Sequence, residues 1–174
     1  LVKNLIKLNQ PHQLVLFFVD AQSAADFELA GVEIKILPLY RYKRLLPLIY
    51  SHLIVPLIFA RSKCDLILFP ANIAPLFYFK KFAVVIHDLA VYKFSELFPN
   101  RLFNFDSRVL VPSTIRRAAK IIAVSQNTKN DLIKLFKIKP DKVSVVYEGG
   151  DFEFDKSLIT AGLPAGLSPQ KYFL

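Results

Sequence analysis

Six short apolar runs, separated by segments of helical or turn character, constrain the fold of this 174-residue chain more than any other feature. The runs lie at residues 14–19, 32–37, 65–69, 82–87, 120–124 and 142–147. Leu14–Val19 and Ala83–Ile86 are apolar at every position rather than at alternate positions. Strands of a parallel sheet have this pattern when helices cover both faces. The sequence therefore predicts an α/β fold with a Rossmann-like, doubly wound parallel sheet.

Helical spacing of apolar residues predicts the segments that cover this sheet. They lie at residues 1–9, 21–30, 44–61, 72–79, 107–119 and 127–136. The alternation indicates one domain over residues 1–151, followed by a linker at residues 152–174 that leads towards a further domain. Because the chain has no methionine and opens inside a helix-like stretch, we expect it to be part of a longer protein.

Composition excludes several classes of protein. With 53% hydrophobic and 21% charged residues, the chain is neither disordered nor collagen-like, and the single cysteine, Cys64, fits a protein of the reducing cytoplasm. No spacing of His or Cys predicts a metal site, and no glycine-rich dinucleotide or nucleoside-triphosphate loop is present. The net charge of +9 is spread along the chain, and no motif supports nucleic-acid binding.

One basic cluster, Arg41, Lys43 and Arg44, stands directly before the apolar stretch at residues 45–60. This stretch is shorter than the roughly 20 residues needed to span a bilayer, and it contains two prolines. The pattern favours a peripheral contact with the inner face of the plasma membrane, through basic side chains and an amphipathic helix. The alternative is an ordinary solvated face.

Polar residues follow the predicted strands, where ligands of such sheets bind. His87 and Asp88 follow one strand, and an imidazole there can bind a substrate hydroxyl; the alternative is a structural histidine that caps a loop. Ser125 begins the helix after the next strand, as a plain N-cap or as part of a ligand site. Glu148 and Gly149 follow the last strand, where glycine suits a close backbone approach, a hinge or a tight turn.

Four segments of the chain, in this order and spacing, resemble the N-terminal domain of a family 4 glycosyltransferase. They are Phe-Pro-Ala-Asn-Ile-Ala-Pro-Leu at 69–76, Val-Ile-His-Asp-Leu at 85–89, Arg-Arg-Ala-Ala-Lys-Ile-Ile-Ala-Val-Ser at 116–125 and Lys-Val-Ser-Val-Val-Tyr-Glu-Gly at 142–149. Members of this family are retaining enzymes with the two-domain GT-B fold. The resemblance covers residues 1–174 and makes this chain the N-terminal, acceptor-side half of that fold.

The resemblance implies transfer of a hexose, with mannose as the first candidate, from a nucleoside diphosphate sugar to a glycan or lipid-linked acceptor. The donor would bind mainly to a C-terminal domain outside this chain, and no cofactor or metal is expected. The first strand and the glycine-rich loop of the family would precede residue 1. On this interpretation the fragment alone is inactive.

The resemblance also assigns roles to individual residues. His87 matches the histidine that faces the transferring sugar and is the expected catalytic contact, with Asp88 supporting it or lining the acceptor cleft. Ser125, Glu148 and Gly149 match positions that face the cleft between the domains. Two other functions stay open: a GT-B-like sugar-nucleotide epimerase and a non-catalytic Rossmann-like binding module.

Overall fold

The computed structural model describes residue 5 and residues 12–27, 32–38, 46–94 and 106–149. Within these ranges lie six strands: β1 (Leu14–Phe18), β2 (Val32–Ile36), β3 (Ile67–Phe69), β4 (Phe82–Ile86), β5 (Lys120–Ala123) and β6 (Val143–Val145). Each strand falls inside one of the predicted apolar runs, and every pairing between them is parallel. The predicted Rossmann-like α/β class is confirmed.

The described strands form two separate sheets rather than one continuous sheet. β1 pairs with β2, and β3 to β6 form a second sheet in the order β3-β4-β5-β6. β1 joins the main core through side chains, because the Phe17 ring packs edge-on against Phe59 with 4.8 Å between the centroids. In a single sheet, a ladder of hydrogen bonds would join these strands. In the part of the chain that is described, aromatic packing connects the two sheets instead.

The core surrounds β4, which is buried at all five positions. Val84 and Ile86 have no exposed surface, as expected for a strand that is covered on both faces. Phe82 of β4 packs in a cluster with the rings of Phe59, Phe69 and Tyr78, with centroids 5.5–6.2 Å apart. Three of the five contacts are edge-on and two are tilted, and each such pair stabilises a core by about 0.5–1.5 kcal/mol beyond burial of the rings themselves.

Each of two long helical segments contains a π turn that ends two positions before a proline. Segment α2 consists of Pro47–Ile49, a π turn at Tyr50–Ile54, and Val55–Arg61, while α4 consists of a π turn at Asp106–Leu110 and Val111–Arg117. Pro56 and Pro112 have no N–H to continue the α-helical hydrogen bonding. The wider turn accommodates this loss, and the Val55 N–H bonds to the carbonyl of Tyr50, five residues earlier.

The remaining described helices are shorter. They are α1 (Ala21–Ala24, followed by a 3-10 turn at Ala25–Phe27), α3 (Ala90–Lys93) and α5 (Gln126–Phe136). A 3-10 turn at Pro140–Lys142 precedes β6. Asp20 caps α1, since its carboxylate accepts a hydrogen bond from the Ser23 N–H at 2.7 Å. α3 has only four residues, and its sequence gives no periodicity from which it could be predicted.

The predicted helix at residues 72–79 is wrong. These residues form an irregular loop because partners outside the segment take up its backbone groups. The N–H of Ala74 donates to Thr114 Oγ1 at 3.0 Å, and the N–H of Leu76 donates to His52 Nδ1 at 3.1 Å. Pro75 also lacks the N–H that a helix needs there. The predicted helix at residues 1–9, the basic cluster at residues 41–44 and the linker at residues 152–174 lie outside the described ranges, apart from residue 5, which is helical.

Candidate functional site

His87 follows β4 directly, and its backbone is held from both neighbouring strands. Its N–H donates to Asn72 Oδ1 at 2.9 Å, and Asn72 lies in the loop after β3. Its carbonyl accepts a hydrogen bond at 3.2 Å from the hydroxyl of Thr128, in the first turn of α5 after β5. The position of His87 at the carboxyl edge of the sheet is therefore fixed by residues that follow the two neighbouring strands, β3 and β5.

The imidazole of His87 lies between two hydrogen-bond acceptors. Nε2 is 2.8 Å from the carbonyl oxygen of Pro70, and Nδ1 is 2.9 Å from Glu148 Oε1. The Pro70 carbonyl raises the pKa of His87 above 6.5, the Glu148 carboxylate adds to this effect, and partial burial opposes it. Only the protonated ring donates from both nitrogens. The geometry therefore favours an imidazolium.

Glu148 is the more accessible member of this pair. The Glu148 side chain is 67% exposed and that of His87 is 45% exposed. An exposed ion pair of this kind contributes little to stability, about 0–1 kcal/mol. A ligand hydroxyl or phosphate can therefore replace the carboxylate at Nδ1 at small energetic cost, while the Pro70 carbonyl continues to orient the ring.

Ser125 behaves as an N-cap. Its Oγ accepts the Thr128 N–H at 3.0 Å and lies 2.9 Å from Thr128 Oγ1. These are the contacts that the plain N-cap interpretation predicts. Because the Thr128 hydroxyl bonds in turn to the carbonyl of His87, Ser125 is connected to the site through one buried side chain.

Asp88 and Gly149 lie beside His87 without contacting its ring in the structure. Asp88 Oδ1 accepts the Ala90 N–H at 3.0 Å and thereby orders the turn that leads into α3. Gly149 is exposed, its φ lies outside the left-handed region, and a Cβ added there would meet no heavy atom of the described residues within 4 Å. Within the described ranges, neither a close backbone approach nor a positive φ therefore requires glycine at this position.

A family model described as Glycosyltransferase Family 4 matches residues 1–154 of the 174. The chain belongs to Glycosyltransferase Family 4. No curated protein matches the sequence. Membership gives the chain a glycosyltransferase-type function, in which a sugar donor and a sugar acceptor are the general partners. Polar residues of this family 4 chain come together after β3, β4, β5 and β6. They lie at the carboxyl edge of the sheet, where ligands of parallel sheets bind.

Sequence reasoning missed three residues of this family 4 site: Pro70, Asn72 and Thr128. All three contact His87 through hydrogen bonds. A usable signal was present, because Pro70 and Asn72 directly follow an apolar run, where polar backbone groups and side chains of a parallel sheet converge. Both residues also lie in the first of the four family segments, but the resemblance assigns them no role there.

The described ranges contain neither a cluster suited to a metal ion nor a helix suited to a bilayer. No group of three or more His, Cys, Asp or Glu side chains in these ranges could hold a metal ion. No helix within them is both long enough and apolar enough to cross a membrane.

Proposed function

We propose that this family 4 chain is the acceptor-side part of a retaining hexosyltransferase of the cytoplasm. The reaction moves a hexose, with mannose as the first candidate, from a nucleoside diphosphate sugar to a hydroxyl of a glycan or lipid-linked acceptor. The observation that supports this proposal most directly is the His87 ring, held at the sheet edge between the Pro70 carbonyl and the Glu148 carboxylate.

His87 then acts by position and charge. A protonated imidazole whose Nε2 is occupied by Pro70 presents Nδ1 to an incoming hydroxyl or phosphate oxygen once Glu148 moves away. A charged donor that is already oriented stabilises developing negative charge without reorganising during the reaction. His87 is therefore the catalytic contact of the proposal, and Asn72 and Thr128 are positioning residues because they hold its backbone.

The other site residues contribute to the cleft that the family resemblance places between two domains. In this proposal Asp88, which orders the turn next to His87, lines the acceptor cleft. Ser125 and Gly149 would face the same cleft. The donor would bind mainly to a second domain outside this chain, so the chain alone would not catalyse transfer.

The test uses the complete protein and a panel of nucleotide sugars that includes GDP-mannose. We expect one donor to be consumed with retention at the anomeric carbon, and His87→Ala to lower turnover at least tenfold, or about 1.4 kcal/mol. His12→Ala, which changes an exposed histidine before β1, is the matched control and should leave turnover unchanged. Undiminished turnover of His87→Ala would contradict the catalytic role of His87. Epimerisation of the donor sugar in the absence of an acceptor would show that the protein is an epimerase and not a transferase.

A further inference from the structure

An apolar surface with no partner in the described structure extends over α2 and the loop that follows β3. Its members are large hydrophobic side chains that are 45–80% exposed: Leu46, Leu48, Ile49, Leu53, Leu57, Phe77 and Phe79. Phe79 is 80% exposed, an unusual position for a phenylalanine. Contiguous exposed apolar residues of this kind mark interaction sites in soluble proteins.

Two hydrogen bonds hold the two parts of this surface side by side. The Leu76 N–H donates to His52 Nδ1 in the π turn of α2, and Lys80 Nζ donates to the Ala60 carbonyl near its end at 2.7 Å. The loop therefore runs along the helix. The two exposed phenylalanines therefore belong to a segment that flanks the helix with the exposed leucines.

The loop presents its aromatic rings on a fixed backbone. Tyr78 is 1% exposed and packs in the core, whereas its neighbours Phe77 and Phe79 are exposed. Their two rings contact each other edge-on, with 6.4 Å between the centroids. The Tyr78 carbonyl accepts a hydrogen bond from Arg117 Nη1 at 2.8 Å, which anchors the backbone at this point. Holding the exposed rings in this way lowers the entropic cost of binding.

Basic residues surround this apolar surface. Between positions 46 and 81 the sequence has four basic residues and a single acidic residue, Asp65. The basic residues are Arg61, Lys63, Lys80 and Lys81. All four are exposed, and none of them forms an ion pair with another described residue. An apolar area with a positive rim complements the surface of a bilayer that contains anionic lipid.

We infer that the apolar surface docks this protein on anionic lipid bilayers. The leucines of α2 and the rings of Phe77 and Phe79 enter the boundary between headgroups and acyl chains, and the lysines and arginines contact the anionic headgroups. The sequence predicts a membrane contact through the basic cluster at residues 41–44 and the apolar stretch at residues 45–60. The inference keeps that stretch, which forms most of α2, and adds the loop after β3 with its own basic residues. The inference does not depend on the sugar chemistry proposed above.

The test measures flotation of the protein with vesicles in the absence of any nucleotide sugar. We expect binding to vesicles of equal parts phosphatidylglycerol and phosphatidylcholine that weakens as salt is added, and much weaker binding to phosphatidylcholine alone. Leu53→Ser and Phe79→Ser should each weaken binding at least tenfold. Lys81→Gln should weaken it about fivefold, because each basic residue near such a surface contributes about 1 kcal/mol.

Leu135→Ser is the matched control, since Leu135 of α5 is 41% exposed but lies outside the apolar surface. It should bind vesicles like the unaltered protein, and unchanged thermal melting of all variants excludes misfolding. Equal binding to neutral and anionic vesicles, or unaltered binding of Phe79→Ser, would overturn the inference. The inference would also be overturned if the protein bound no vesicles and formed a dimer that Phe79→Ser dissociates. The apolar surface would then bind a second copy of the chain. None of these results bears on sugar transfer, which is measured separately.

Discussion

Replacing Thr114 with valine tests how the loop after β3 is held in place. Thr114 lies in α4 with no exposed surface, and its Oγ1 accepts the Ala74 N–H at 3.0 Å. The Ala74 carbonyl lies 3.5 Å from the same oxygen. Valine has nearly the same shape but cannot hydrogen-bond. Because Ala74 is 1% exposed, water cannot take over its N–H.

The expected loss follows from the buried N–H that would be left without a partner. Such a group costs about 1–3 kcal/mol, and the added apolar methyl of valine offsets up to about 0.8 kcal/mol of this. We therefore expect Thr114→Val to lower the free energy of unfolding by about 1–2 kcal/mol. With a typical urea dependence of about 2 kcal/mol per molar, the unfolding midpoint falls by about 0.5–1 M with little change in slope.

Hydrogen exchange distinguishes the lost hydrogen bond from general loosening of the core. Thr114→Ser keeps the hydroxyl and removes one methyl, so it also destabilises, by about 0.8 kcal/mol. The Ala74 amide should stay protected in Thr114→Ser and exchange faster in Thr114→Val, beyond what the change in global stability explains. A Thr114→Val protein of unaltered stability with a protected Ala74 amide would refute the reasoning.

Two further predictions concern single residues of the described structure. NMR titration of His87 should give a pKa above 6.5. Glu148→Gln should lower this pKa, because a neutral amide no longer stabilises the imidazolium. An unchanged pKa of His87 in Glu148→Gln would contradict the observed contact. The stability from this raised pKa is fully present below pH 6.5 and is lost as the pH rises through the pKa of the folded protein. Urea unfolding midpoints should therefore fall over this pH range in the unaltered protein. The fall should be absent in His87→Gln, which has no imidazole. Lys137, at the end of α5, has φ 56°, a left-handed conformation that strains a residue with a Cβ. Lys137→Gly should therefore raise the free energy of unfolding, measured in urea titrations, by roughly 0.5–1 kcal/mol. An equal or lower free energy of unfolding would contradict this strain.

Sequence patterns were sufficient for the strands because burial on both faces leaves a local signature. Val84 and Ile86 are apolar like all their neighbours in β4, and this is how a strand covered by helices has to be built. The cap at Ser125 was equally local, since a serine after a strand and before a polar helical turn satisfies the first N–H groups of a helix. These features involve residues only a few positions apart.

The loop at residues 70–81 could not be predicted in this way because its partners are distant in sequence. The hydroxyl that bonds Ala74 comes from 40 residues later, and the imidazole that bonds Leu76 comes from 24 residues earlier. The same limitation applies to His87, whose carboxylate partner Glu148 lies 61 residues away. Local periodicity carries no information about such contacts. They depend on how the sheet brings separate segments together.

This loop connects the two proposals about the protein. It has no helix or strand of its own, so its conformation depends on hydrogen bonds from α2 and α4, chiefly those of His52, Thr114 and Arg117. One end of the loop carries Pro70 and Asn72, which orient His87, and the other end carries the exposed Phe79. Because the same anchors fix both ends, a bilayer bound at Phe79 would lie at a defined distance from the imidazole. That arrangement suits a site whose acceptor is attached to a lipid.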